Sequence, residues 1–170
     1  MTVTAVRKDT DALTLDLTAE FDATPERVWQ LWADPRQLER WWGPPAYPAT
    51  FTEHDLTPGA HVAYFMTGPA GDKAPGWWTI LEVDPPHGLS FRDGFATEDG
   101  RPNPEFPELT VHVAIADIGA GRTRMSIQSR FPTPAAMEQL AAMGMVEGLT
   151  EAVGQIDAIL AEDAVPATRS

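Results

Sequence analysis

Residues 13–45, LTLDLTAEFDATPERVWQLWADPRQLERWWGPP, predict a strand followed by two short helices. At the start of this segment Leu, Ala and Phe alternate with polar residues, the pattern of a half-buried strand. Thr24 and Pro25 then suit the N-cap and the first position of a helix. Asp34 can cap a second helix, with Gln37 three residues later as in a capping box. The sequence GPP ends that helix.

The middle of the chain predicts six further strands, separated by turn signals such as Pro58-Gly59. Each strand has one polar face. We therefore expect one antiparallel sheet with one solvent-exposed face and one face covered by helices. The predicted strand segments are 46–56, 59–68, 75–86, 87–96, 109–118 and 122–131.

A single long helix of about 27 residues is predicted after Thr133, with Pro134 at its first position. Its inner stripe contains Gly144 and Gly148, one turn apart. Each glycine costs about 1 kcal/mol against alanine in a helix interior. Two explanations are open: the glycines let the helix pack closely on the sheet, or they leave room for a bound molecule.

Aromatic, methionine and aliphatic side chains are predicted on the strands that face this helix. The chain has 6 Trp residues, and buried Trp and Tyr need a partner for their polar tips. Such residues suit a concave apolar site, although an ordinary core uses the same residue types. The predicted site residues are Trp32, Trp41, Trp42, Phe51, Tyr64, Met66, Trp77, Leu81, Phe91, Val113, Met125, Gly144, Glu147 and Gly148.

Composition limits the function classes. The 170 residues carry 12 Lys and Arg against 25 Asp and Glu, a net charge of −13, without a basic face for nucleic acid. The chain has no cysteine and no apolar run that predicts a signal peptide or a membrane span. We expect a single cytoplasmic domain, residues 1–170, with a core at about 12–161 and short flexible termini.

Several motifs resemble one family: P…VW…W.DP..L..WWGP at the start, then DLTPGAHVAYFMTGPAGD, LEVDPPHGLSF, TRMSI and MVEGLTEAVGQIDAIL. Together they resemble the START-like (SRPBCC) superfamily, and more narrowly bacterial proteins similar to the C-terminal domain of the activator of Hsp90 ATPase. The resemblance implies the α+β helix-grip (START/Bet v 1-like) fold. In that fold a curved antiparallel sheet of about seven strands surrounds a long C-terminal helix, with two short helices after the first strand and a cavity for apolar molecules.

No catalytic, metal or cofactor motif is present, so we predict no metal, no cofactor and no assigned catalytic residue. Acid–base chemistry needs a titratable group facing the cavity, and the candidates are Glu53, Tyr64, Glu147 and Glu151. Glu147 lies at the border of the helix stripe, either on a solvated edge or at the cavity mouth.

Three functions follow from the sequence. The first is binding of a small apolar or aromatic molecule. The second is an enzyme of the polyketide cyclase or dehydratase type, which is less expected. The third is a chaperone-associated or other protein-interaction role, including a homodimer, for which Met143, Val146 and Val153 lie off the inner stripe.

Overall fold

The computed structural model describes residues 3–164, and those residues form one sheet and five helices. The strands are β1 (Val3–Asp9), β2 (Thr14–Phe21), β3 (Ala49–Glu53), β4 (His61–Thr67), β5 (Lys73–Asp84), β6 (Gly88–Phe95), β7 (Leu109–Gly119) and β8 (Arg122–Arg130). The helices are α1 (Pro25–Ala33), α2 (Pro35–Leu38), α3 (Pro134–Ala142), α4 (Met145–Gly154) and α5 (Ile156–Ala161), followed by a 3₁₀ turn at Glu162–Ala164.

The sheet is curved and antiparallel, in the order β1-β2-β8-β7-β6-β5-β4-β3. Helix α1 packs against β7 and β8. This arrangement confirms the predicted α+β helix-grip fold. The sheet has eight strands where the sequence predicted about seven.

The additional strand is β1, which the sequence analysis left outside the core. It pairs with β2 from Val3 opposite Ala19 to Asp9 opposite Thr14. Most of its side chains are exposed, so no buried face produced an alternating pattern that could reveal it. The described residues therefore include a strand on the N-terminal side of the core predicted at about residues 12–161. The tail at residues 165–170 lies outside the described residues.

Both predicted helix caps after β2 are present. The Thr24 hydroxyl accepts a hydrogen bond from the Arg27 amide at 3.2 Å, and Asp34 accepts one from the Arg36 amide at 2.9 Å. The Gln37 side chain also donates to Asp34, at 3.0 Å. Helix α2 ends at Leu38. The Trp pair, Trp41 and Trp42, therefore lies in the turn after the helix and not on the helix itself.

The predicted long terminal helix is wrong in one respect: it is broken into α3, α4 and α5. The main break is at Gly144, whose φ of 86° is in the left-handed region that glycine adopts most readily. At its other end α4 is followed by Gln155, whose side-chain amide donates to the backbone oxygen of Gly43 at 2.7 Å. Gln155 thereby ties the end of α4 to the turn that carries the Trp pair.

Strand β5 contains a bulge that changes which side chains face inward. Its pairing with β6 shifts between Ile80 and Glu82, so Leu81 is the extra residue. Before the bulge Trp78 and Ile80 face the core, and both are buried. The predicted inward position of Leu81 is therefore wrong: it is exposed, at 38%.

Candidate ligand-binding cavity

A cavity of about 430 Å³ lies between the sheet and the broken terminal helix. That volume is within the range of about 300–1,000 Å³ that is usual for small-molecule sites. Strands β4 to β8 form one wall, the turn after α2 forms the second, and α3 with α4 closes the third. The lining residues are mostly apolar, among them Phe95, Leu109, Val111, Ile127, Leu140 and Leu149.

The two glycines of the inner helix stripe both line this cavity. A Cβ added at Gly144 or at Gly148 would meet no atom within 4 Å beyond its own local backbone. Close packing on the sheet therefore does not explain either glycine. Gly148 leaves open space at the cavity, and Gly144 permits the left-handed turn between α3 and α4.

One carboxylate, Asp93 on β6, lines the cavity, partly buried. The Tyr64 hydroxyl on β4 donates to it at an oxygen–oxygen distance of 3.4 Å. Burial raises the pKa of Asp93 to about 7, and hydrogen bonds from Tyr64 and from the Gly94 backbone partly oppose this shift. Burial, followed by the charge of Asp93, raises the pKa of Tyr64 well above its usual value.

The Tyr64 side chain reaches Asp93 because β5 carries a glycine between them. Gly76 on β5 is paired with Tyr64, and a Cβ added at Gly76 would collide with the Tyr64 ring. Any other residue at this position would have to displace the ring. Gly76 therefore sets the position of the Tyr64 hydroxyl.

Five of the fourteen predicted site residues line the cavity, and the other nine do not. The structure brings together Trp42, Tyr64, Met66, Gly144 and Gly148.

Six of the others are buried in the core behind the cavity wall: Trp32, Trp41, Phe51, Phe91, Val113 and Met125. Of these six, the two Trp residues have polar indole N–H groups, and both groups donate hydrogen bonds inside the protein. The Trp32 indole N–H donates to the Met125 sulfur at 3.3 Å, and the Trp41 indole donates to the Leu31 backbone oxygen at 3.0 Å. These residues position the cavity without lining it.

Trp77, Leu81 and Glu147 lie elsewhere. Trp77 was predicted to face the helix, but alternation with Trp78 places it on the opposite face of the sheet, over Gly94. There its indole donates to the Phe95 backbone oxygen at 3.1 Å. Leu81 is the exposed bulge residue, and Glu147 is exposed to solvent.

The four acid–base candidates also differ in whether they line the cavity. Glu53, Glu147 and Glu151 are exposed, and only Tyr64 lines the cavity. Sequence reasoning missed Asp93, although a signal existed. On β6 the residues Phe91, Asp93 and Phe95 occupy alternate positions, so a carboxylate is flanked by two inward rings.

The residues proposed for a protein interface are differently exposed. Met143 is 49% exposed at the rim of the cavity, and Val146 is partly buried. Val153 is fully buried and therefore cannot contact a partner, which corrects that expectation.

Within residues 3–164, no three His, Cys, Asp or Glu side chains are grouped so that they could hold a metal ion. Over the same residues, no helix combines the length and the apolar character needed to cross a membrane.

The chain belongs to the family described as "Activator of Hsp90 ATPase homolog 1-like protein", whose profile matches residues 22–161. This match confirms the START-like resemblance found in the sequence. No protein of curated function matches the chain.

Solved structures show the same fold over nearly the whole chain. A protein from Arthrobacter aurescens, solved by NMR, is 50% identical over 98% of this chain and 94% of its own, with a TM-score of 0.91. A crystal structure from Mycobacterium smegmatis is 47% identical over 99% of both chains, with a TM-score of 0.85. DynU16, a protein in the dynemicin biosynthetic locus, shares the fold alone: 21% identity over 87% of this chain and 47% of its own, with a TM-score of 0.60.

Proposed function

We propose that the protein binds a small apolar or aromatic molecule in the cavity between the sheet and helices α3 and α4. The observation that carries this proposal is open space of about 430 Å³ surrounded by mostly apolar side chains. Binding would remove apolar surface of both partners from water, at about 25 cal/mol per Å² before the costs of ordering are subtracted.

A pair of glycine substitutions tests the location of the site. Gly148 lines the cavity, whereas Gly154 is exposed at the end of the same helix, and neither has an atom within 4 Å of an added Cβ beyond its own helix. Gly148→Leu fills part of the cavity, and Gly154→Leu adds the same side chain outside it.

The measurement is a titration with the neutral fluorescent probe N-phenyl-1-naphthylamine. We expect the probe to bind the natural chain and the Gly154→Leu variant alike. Gly148→Leu should bind it about tenfold more weakly or not at all, since a tenfold change needs only about 1.4 kcal/mol. Equal binding by all three proteins would contradict the proposed site.

A second candidate function is acid–base catalysis of the cyclase or dehydratase type, and Asp93 is the observation that favours it. A carboxyl group in an apolar cavity, with a pKa of about 7, suits proton transfer near neutral pH. For a β-hydroxy ketone, the Asp93 carboxylate would take a proton from the carbon between the carbonyl and the hydroxyl-bearing carbon. The protonated Asp93 would then give that proton to the departing hydroxyl, which leaves as water as the carbon–carbon double bond forms.

The probe reaction is dehydration of 4-hydroxy-4-phenylbutan-2-one to the conjugated ketone, followed by absorbance. Catalysis by the natural chain that is lost in Asp93→Asn would support this function. Binding of the probe without turnover would leave ligand binding as the function. A homodimer and a cytoplasmic location remain predictions from the sequence, and light scattering tests the first.

A further inference from the structure

Asp93 gives the cavity wall a charge that the protein does not compensate. Among the described lining residues there is no Lys, Arg or His, and the other titratable lining residues are tyrosines, which carry no positive charge in either form. Arg92 beside it on β6, Glu108 before β7 and Glu147 on α4 are all exposed to solvent and do not line the cavity. Within residues 3–164 a charged Asp93 therefore has no counter-ion.

The carboxylate of Asp93 also has unused hydrogen-bonding capacity. It accepts one hydrogen bond from the Tyr64 hydroxyl, at 3.4 Å, and one from the Gly94 backbone, whereas a carboxylate has about four acceptor sites. The Tyr64 hydroxyl has none to spare, because the indole N–H groups of Trp42 and Trp78 donate to it. Asp93 is only partly buried and lines the cavity, so a donor on a bound molecule can reach its remaining sites.

Four aromatic side chains line the cavity together with this carboxylate: Trp42, Tyr47, Tyr64 and Phe95. The Tyr64 ring lies 6.3 Å from that of Trp42. Phe95 is two residues after Asp93 on β6, so the two side chains project from the same face of the strand. The faces of aromatic rings attract cations, whereas alkyl groups do not. The cavity therefore combines a carboxylate with the ring type that tolerates a positive charge.

These features discriminate among ligands by charge. An anion would enter next to Asp93 without a counter-ion. A neutral hydroxyl could donate to Asp93, but it would leave the charge of the carboxylate uncompensated. A protonated amine donates a hydrogen bond and also carries the missing positive charge. The net charge of the chain, −13, attracts cations from solution as well.

We propose that the ligand is a hydrophobic amine, whose ammonium group pairs with Asp93 while its apolar or aromatic body occupies the rest of the cavity. This inference rests on the proposed function and adds the ligand class: cationic amines in preference to neutral alcohols, hydrocarbons and carboxylates. The raised pKa of Asp93, about 7, agrees with it, because burial without a counter-ion disfavours the charged form. An ammonium group bound beside Asp93 should reverse that shift.

The test uses the full chain and four naphthalene probes that differ in one substituent: 2-naphthylmethylamine, 2-naphthylmethanol, 2-ethylnaphthalene and 2-naphthoate. Titrations followed by ¹³C–¹H NMR of the methyl groups of the cavity, including those of Met145 and Leu149, give the Kd of each probe. At pH 8 we expect the amine to bind about tenfold more tightly than the alcohol and the hydrocarbon. The acid should bind more weakly than the hydrocarbon.

Two measurements on the natural chain connect this preference to Asp93. Saturation with the amine should bring the pKa of Asp93 below about 7, as followed by its carboxyl ¹³C signal, because the ammonium group favours the charged form. Saturation with 2-ethylnaphthalene should not lower it. By linkage, the amine should bind about tenfold more tightly at pH 8 than at pH 6, and the hydrocarbon should show no such gain.

A pair of variants makes the same connection. Asp93→Asn keeps the size of the side chain but removes its charge, so the amine should lose its advantage while the hydrocarbon still binds. The matched control is Asp84→Asn, at an exposed position of β5 outside the cavity, which should keep the full preference. The ¹³C titration needs no variant, so it decides the question if Asp93→Asn does not fold.

The outcomes separate this inference from the proposed function. Binding of the alcohol, the hydrocarbon or the acid as tightly as the amine overturns the ligand class and leaves cavity binding in place. An amine that leaves the Asp93 titration unchanged, or keeps its advantage in Asp93→Asn, overturns the ligand class too. If none of the four probes shifts the signal of any cavity residue, the proposed function fails as well.

Discussion

The hydroxyl of Tyr64 reaches the carboxylate of Asp93 across an intervening strand, with 3.4 Å between the two oxygens. Tyr64 is on β4 and Asp93 is on β6, and β5 between them has a glycine, Gly76, opposite the tyrosine. Because Gly76 has no side chain, the Tyr64 ring can lie over β5 and its hydroxyl can contact Asp93. This arrangement brings Asp93, the one carboxylate that lines the cavity among residues 3–164, into a hydrogen bond with a buried phenol.

We predict that Gly76→Ala destabilises the fold, because the new methyl group would collide with the Tyr64 ring. Overpacking of this kind costs about 1–3 kcal/mol. Urea unfolding measures the loss. Val62→Ala, at a buried position two residues before Tyr64 on β4, is a second variant that removes volume instead of adding it. A Gly76→Ala protein as stable as the natural chain would show that the ring moves aside freely.

The two glycines of the terminal helix should respond to alanine with opposite signs. Gly144→Ala places a side chain at a positive φ of 86°, and we expect it to lower the free energy of unfolding by about 1 kcal/mol. Gly148→Ala lies within α4, where no atom obstructs the new methyl group, and it should raise stability by up to about 1 kcal/mol. Thermal unfolding of the two variants provides the comparison, and each is the control for the other.

Stability should fall with pH because of Asp93. Its pKa rises from 3.8 to about 7 on folding, so between these values the folded chain keeps a proton that the unfolded chain has released. The free energy of unfolding therefore decreases as pH rises through this window and becomes independent of this group above it. Asp93→Asn removes the effect.

We expect the stability of Asp93→Asn relative to the natural chain to increase between pH 5 and pH 8 by on the order of 2 kcal/mol. Urea unfolding at several pH values measures the difference, with Asp84→Asn at an exposed position of β5 as the control. A constant difference across the pH range would mean that Asp93 is well solvated.

Removal of the Tyr64 hydroxyl should raise the pKa of Asp93 further. The hydroxyl donates to the carboxylate and lowers its pKa by favouring the charged form. In Tyr64→Phe the carboxyl group should titrate above about 7, as followed by its ¹³C chemical shift. Tyr47→Phe, which also changes a tyrosine of the cavity wall, should leave the titration where it is; an unchanged titration in Tyr64→Phe would refute the hydrogen bond.

Much of the fold could be predicted because its signals are local. Thr24 and Asp34 cap helices through atoms only two or three residues away, so the sequence around them is sufficient. The inward faces of β7 and β8 also follow from simple alternation, since most residues with the parity of Val111 and Ile127 are buried.

The remaining features depend on contacts distant in sequence. The bulge at Leu81 reverses the alternation within β5, so the parity that is correct for Val83 misplaces Trp77. The break at Gly144 is invisible to a helical wheel, which assumes a continuous helix. The inward position of Asp93 is accompanied by a hydrogen bond from Tyr64, a residue 29 positions earlier in the chain.

The hydrogen bond from Gln155 to the backbone of Gly43 fixes one end of α4 and so affects where a ligand could enter the cavity. At that end α4 is fastened beside the turn that carries Trp42, whereas at Gly144 the helix begins without a side-chain cap. Helix α4 is therefore held by a side-chain hydrogen bond at its Gln155 end and by backbone hydrogen bonds alone at its Gly144 end. A ligand that enters beside Gly144 would leave the hydrogen bond between Gln155 and Gly43 unbroken, and the turn that carries Trp42 would keep its position.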